Sequence, residues 1–251
     1  MAIDYSKKPN SPEPTPGPGA SSGGASSGGA SSGGPAAGGG ISLSKVTLTK
    51  AAPKLSLSKS GATGGTLRVH LAWNARPAGA AASSGGFLAK LRAAAAPQSG
   101  IDLDLGALYE FTDGSKGVVQ ALGNAFRDRA EGEPVVWLDG DDRSGGGGEN
   151  LYVDLRQARK IKRVLVFAFI YEGVPNWAAA DGVVTLFPTG GPEVEVRLDE
   201  HDEKSPMCAI AQITSDGTEI SVQREVRYVQ GGQQALDEAF GWGMKWRTGR
   251  K

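Results

Sequence analysis

Cysteine is almost missing from this 251-residue chain, and the single Cys208 has no partner with which to close an internal disulfide. A disulfide framework and a CxxC redox pair are both excluded, and a reducing, intracellular setting fits. Histidine is scarce too: His70 and His201 stand far apart and lack zinc-ligand spacing. Neither sign of charge dominates, with 27 Lys plus Arg against 27 Asp plus Glu. No net field therefore draws nucleic acid or an anionic membrane. No apolar run approaches the roughly 20 residues of a membrane span. The opening MAIDYSKKPN has no apolar core of a secretory signal. There is no G-x-S-x-G elbow, no P-loop GKS or GKT, and no HExxH. These absences lead to the expectation of a cytoplasmic protein that is not an enzyme, has no transmembrane segment and does not partner nucleic acid.

Helical periodicity is rare as well. Residues 1–40 carry SPEPTPGPGA and three tandem copies of ASSGG. Such a stretch buries too little apolar surface to offset its ordering entropy, so a disordered tail is expected. It is either a tether or a tolerated low-complexity expansion. From Ile41 the pattern alternates with a period of two, the signature of half-buried strands. TLRVHLAW puts Leu67, Val69, Leu71 and Trp73 inward and leaves Arg68 and His70 on the surface. Residues 77–100 read as a flexible insertion, or as a short docking helix built on Phe87, Leu88 and Leu91. IKRVLVFAFIYE is apolar on both faces, which suits a strand at the centre of a sheet. Gly231–Gly241 reads as a short helix with Leu236 and Phe240 on one face. Short, evenly spaced strands with turns between them predict an all-β fold. The expected architecture is a two-sheet antiparallel β-sandwich over 41–251, with a short C-terminal helix. Cys208, inside the apolar run MCAIAQI, is expected to be a buried core thiol.

The chemistry concentrates in LDGDDRSGGGGEN, residues 138–150, where Asp139, Asp141, Asp142 and Glu149 crowd a glycine-rich loop between two strand-like runs. Such a loop repels itself unless water, a basic partner or a cation offsets the charge. Carboxylates and free carbonyls are what a hard cation such as Ca²⁺ requires. The alternative is a solvated hairpin that is acidic by chance. A second acidic pair, Asp102 and Asp104, lies in IDLDLGALYEF, two apart and so on one face of a strand. Such a pair could be acid/base machinery, a metal site or a solvated rim. Two acidic clusters around one hairpin-sized segment make convergence on one cation the sharper reading. The loop is not an EF-hand, because the D-x-D-x-D-G core and flanking helices are missing.

Taken in order, IDLDLGALYEF, GDDRSGGGGENL, IKRVLVFAFIYEG and REVRYVQGGQQAL, with the opening ISLSK…LTKAAP and LAWNAR, resemble the TerD domain of tellurium (tellurite) resistance proteins. The longer bacterial variants labelled TerA-like match best, including the ending FGWGMKW. The resemblance implies a β-sandwich whose acidic loops at one end bind two Ca²⁺ ions, with no established catalytic mechanism. It also implies roles in tellurite and other stress responses, with other tellurium-resistance and stress proteins as partners, in part in membrane-associated complexes. By position it makes Asp102 and Asp104 the family's acidic pair. Asp141, Asp142, Ser144 and Gly145 match its loop, Glu149 the loop's acidic end, and Glu172 the acid closing the central strand.

This chain departs from that pattern. GGGGEN replaces a richer acidic run, Asp142 stands where Asn is usual, and Asn74 stands where Asp often follows the Trp. Fewer carboxylates imply weaker calcium binding or the loss of one of two ions. The expected function is a calcium-binding, non-enzymatic scaffold in tellurite resistance. The rivals are a metal-free interaction module tethered by its tail, and a hydrolase using paired carboxylates.

Overall fold

Along TLRVHLA, Leu67, Val69 and Leu71 are fully buried while Arg68 and His70 are half-buried. That alternation is what a strand with one dry face produces. The computed structural model describes residues 45–73, 101–140, 148–172, 174, 176–198 and 204–246. The expected tail and the 77–100 insertion lie outside them.

The described residues form twelve strands. They are β1 (Lys45–Thr47), β2 (Lys54–Ser56), β3 (Thr66–Ala72), β4 (Asp102–Phe111), β5 (Lys116–Gln120) and β6 (Val136–Leu138). Then follow β7 (Glu149–Asp154), β8 (Ile161–Glu172), β9 (Gly182–Phe187), β10 (Glu193–Leu198), β11 (Met207–Ser215) and β12 (Ile220–Val229). Two helices, α1 (Trp177–Ala180) and α2 (Gln233–Phe240), complete the set with 3-10 turns at Leu122–Asn124 and Leu155–Lys160. The first sheet runs β1-β10-β9-β3-β7-β6 and the second β2-β12-β11-β8-β4-β5.

The all-β sandwich expected from the sequence is therefore present, with one correction. The β1–β10 pair is parallel, whereas every other pair is antiparallel. The two strands are far apart in sequence, so no hairpin turn dictates their sense.

The main core lies between the sheets. Leu67, Val69 and Leu71 of β3 share it with Leu103, Leu105 and Ala107 of β4 and Val164 and Val166 of β8. Cys208 is buried in it, as expected. A second apolar layer covers the outer face of the second sheet. There Leu108, Leu165, Phe167, Met207 and Ala209 meet Leu236 of α2 and Trp242 just beyond it. This layer explains why β8 is apolar on both faces: each face has its own cover.

A buried ion cluster fastens that layer. Glu110 on β4 is 4% exposed and accepts from Lys162 Nζ at 2.7 Å and Arg163 Nε at 2.6 Å. Arg163 also donates to the carbonyls of Phe240 and Gly241, each at 3.2 Å, and lies 3.7 Å over the Trp242 ring. Burial pushes the Glu110 carboxyl up, but the hydrogen bonds and charges of Lys162 and Arg163 outweigh it and hold it below its ordinary 4.5. A depressed carboxyl stabilises the fold at pH above its unfolded value, and that stability is lost as pH falls through the folded one. Thermal melts should therefore show stability falling as pH drops below about 4.5, and Glu110→Gln should flatten part of that slope.

Candidate functional site

One end of the sandwich gathers the acids. Here β3 stops at Ala72 and β4 starts at Asp102. Trp73 ties the two ends together: its ring is 8% exposed and its Nε1 donates to the Ile101 carbonyl at 2.8 Å. That bond closes the residue 74–100 excursion and fixes where the Asp102–Asp104 segment begins.

On β4, Leu103 and Leu105 point into the main core, so the pleat sends Asp104 to the opposite face. Asp104 is nevertheless only 8% exposed. The solvated-rim reading of this pair fails for Asp104. Asp102 is half-buried, its Oδ1 is shielded from solvent, and a bulge follows it. Across the ladder Asp102 is registered opposite Glu172 of β8, so the backbone brings those two acidic positions side by side.

Glu149 arrives from the other sheet. It opens β7, is registered opposite Leu71 of β3, and is only 2% exposed. Its Oε2 accepts the Leu105 backbone N–H at 2.5 Å. The pairing of β5 on β4 ends at Gly106–Gln120. The Phe111 amide faces the β5 side, donating to the Ser115 carbonyl, and by the period of two the Leu105 amide faces that side as well. Glu149 thus occupies the edge of β4 just beyond the last residue of β5. A carboxylate of the first sheet is locked against the residue that follows Asp104 in the second.

The chain reaches Glu149 through Gly148, whose φ is +72°. A Cβ there would stand 2.3 Å from the Leu71 carbonyl oxygen. Gly148→Ala combines that clash with a left-handed backbone, and should cost about 1–3 kcal/mol in urea unfolding.

The acidic loop is the β6–β7 hairpin connection, with Leu138 registered opposite Leu151. Asp141, Asp142, Ser144 and Gly145 lie outside the described residues. So does Asn74, and so does the side chain of Glu172. Asp139 belongs elsewhere: it accepts from Asn150 Nδ2 at 3.0 Å and from the Tyr152 hydroxyl at 3.2 Å. Asn150 Oδ1 in turn accepts from Arg68 at 3.1 Å and sits 3.0 Å from His70 Nδ1. His70, expected on the surface, is a half-buried member of that network on the outer face of the first sheet.

Among the described residues, no group of three or more His, Cys, Asp or Glu is arranged to hold a metal ion. Asp102, Asp104 and Glu149 are all carboxylates, the donor type a hard cation takes, and each loses hydration where it is buried.

Sequence patterning alone does not single out Asp128. Its carboxylate accepts the Ala130, Val135 and Val136 amides at 2.7, 2.6 and 2.7 Å, which shapes the approach to β6. A lone Asp before a Gly-Glu-Pro stretch was the only local signal of that turn.

Fold and rim together define a two-sheet β-sandwich with a carboxylate-lined end. The chain is 46% identical over 212 residues to the tellurium resistance protein TerA of Alcaligenes sp, a match covering 84% of this chain and 59% of that protein. Over that span the chain is similar to a TerA-like tellurium-resistance protein. It spans about three fifths of that relative's length. No protein-family model and no solved structure matches it. No helix among the described residues is long and apolar enough to cross a membrane.

Proposed function

We propose that this chain is a calcium-binding protein of tellurium resistance, acting without catalysis as a scaffold whose acidic end is stiffened by the ion. The observation that carries the reading is the Glu149 contact. A carboxylate from the glycine-rich loop's end crosses between sheets to the Asp102–Asp104 strand. Asp102, Asp104 and Glu149 would hold the ion together with Asp141, Asp142, Ser144, Gly145 and Glu172. The ion would supply positive charge that joins the two sheets at this rim.

Kinship with TerD domains, a cytoplasmic setting and partners among other tellurium-resistance and stress proteins belong to the same proposal. Tyr171, 50% exposed on β8 beside Glu172, gives the rim an apolar contact for such a partner. The rival of a metal-free interaction module uses the same surface without the ion. Isothermal titration of the full chain decides between them. Saturable Ca²⁺ uptake, with Mg²⁺ a poor competitor, is expected. No uptake at about millimolar calcium, the weak end of the range for such sites, would sink the calcium reading.

A further inference from the structure

We infer that a basic groove at the far end of β4 binds a small phosphate monoester carrying a flat ring. Ten residues of β4 separate this end from the acidic rim, roughly 30 Å at the rise of a strand. The groove has a volume of about 290 Å³. Its walls include Lys116 and Val118 of β5, Arg129, and Met244, Lys245 and Trp246 beyond α2.

Three of those side chains are cations, and among the described residues no carboxylate lines the groove. The nearby acids keep their charge but turn their oxygens to other donors. Asp113 accepts from the Ser115 amide and hydroxyl at 2.8 and 2.6 Å. Asp128 holds three backbone amides. Glu110 lies 3.8 Å from Lys116 Nζ but is shared with Lys162 and Arg163, so one negative charge faces three positive ones. Lys116 Nζ, which also donates to the Trp242 carbonyl at 2.7 Å, and the exposed Arg129 and Lys245 give the groove a cationic lining that favours an anion.

The apolar wall is built in advance. Asp237, 3% exposed, accepts from the Gly243 and Met244 amides at 2.6 and 2.8 Å and from Trp246 Nε1 at 2.6 Å. Those bonds fix the Trp246 ring as a partition. On its other side lies a hollow of about 400 Å³ lined by Asp237 and Glu238, which repels anions. A ligand entering the basic side meets an indole, a thioether and Val118, surfaces that accept a ring.

A phosphate monoester carries about −1.5 to −2 charges at pH 7. It suits one guanidinium and two ammonium groups. The volume lies at the lower limit of small-molecule sites, about 300–1,000 Å³, which matches a mononucleotide-sized ligand.

Titration of the full chain with AMP tests this, read by calorimetry and by tryptophan fluorescence. Arg129 and Lys245 are exposed, so Arg129→Ala and Lys245→Ala leave the fold and the melting temperature unchanged. Saturable AMP binding is expected, weakened about tenfold by either substitution, the effect of losing one charge-assisted hydrogen bond. Inorganic phosphate should bind several-fold more weakly than AMP, because it lacks the ring. Absence of saturation by about 1 mM AMP, or AMP binding indifferent to both substitutions, overturns the site. Equal affinity for phosphate and AMP overturns the ring-bearing ligand. A single-stranded oligonucleotide that displaces AMP at much lower concentration would identify a nucleic-acid surface instead, and overturn the small-molecule site.

Discussion

Calcium at a hundredfold excess over its Kd should raise the melting temperature of this chain, and Glu149→Gln should remove most of the rise. Binding to the native state alone is worth about 2.7 kcal/mol at that excess. For a domain of this size that corresponds to roughly 5–10 °C. The substitution separates two roles of Glu149. A glutamine oxygen can still accept the Leu105 amide, so the strand-edge contact survives. The negative charge does not, and a hard cation loses an anionic ligand. A purely structural Glu149 would leave the calcium shift intact in the variant. Asp104→Asn should act in the same direction, since it also removes charge from a buried position at this rim. The calcium shift should shrink at acid pH, because ligand carboxylates must be ionised to bind. Calorimetric scans in Ca²⁺, in Mg²⁺ and in chelator provide the measurement. A chain indifferent to all three is the metal-free interaction module.

Much of this architecture is written locally. The double-faced apolar run of β8 announced a central strand, and β8 lies inside the second sheet with β11 and β4 on its flanks. Leu236 and Phe240 announced the packing face of α2, and both belong to the outer apolar layer. The acidic hairpin was legible too, because glycines and carboxylates between two strand patterns leave few other shapes. What stayed hidden depends on how the sheets meet. No spacing rule reveals that Glu149 reaches across to the Leu105 amide, since the two residues lie on different sheets. The burial of Asp104 was hidden for the same reason: the pleat only says that it faces away from the core. The parallel β1–β10 pair joins strands from distant parts of the chain. Lys116, Arg129 and Lys245 come from three separate segments, and alternation alone connects none of them.

Trp242→Ala should be the most damaging single change away from the rim. Trp242 is fully buried, packs with Leu108, Leu165 and Phe167, and donates from Nε1 to the Tyr109 carbonyl at 3.2 Å. Emptying so large a site costs about 3–5 kcal/mol, or roughly 6–20 °C in melting temperature. The loss extends beyond a cavity. Arg163 loses the ring it covers, and the anchor of α2 against Glu110 weakens with it. The outer apolar layer then opens, and dye binding to exposed hydrophobic surface should rise before the main transition. Trp242→Phe tests the division of that cost. It keeps most of the apolar volume and a ring for Arg163, but loses the bond to Tyr109, so about 1–2 kcal/mol is expected. If phenylalanine costs as much as alanine, the indole N–H bond to Tyr109 holds the layer, and neither the cation–π contact nor burial of apolar surface does. Urea unfolding of the two variants side by side separates the cases. The main core between the sheets keeps its own leucines and valines in both, so the sandwich survives and the cover detaches.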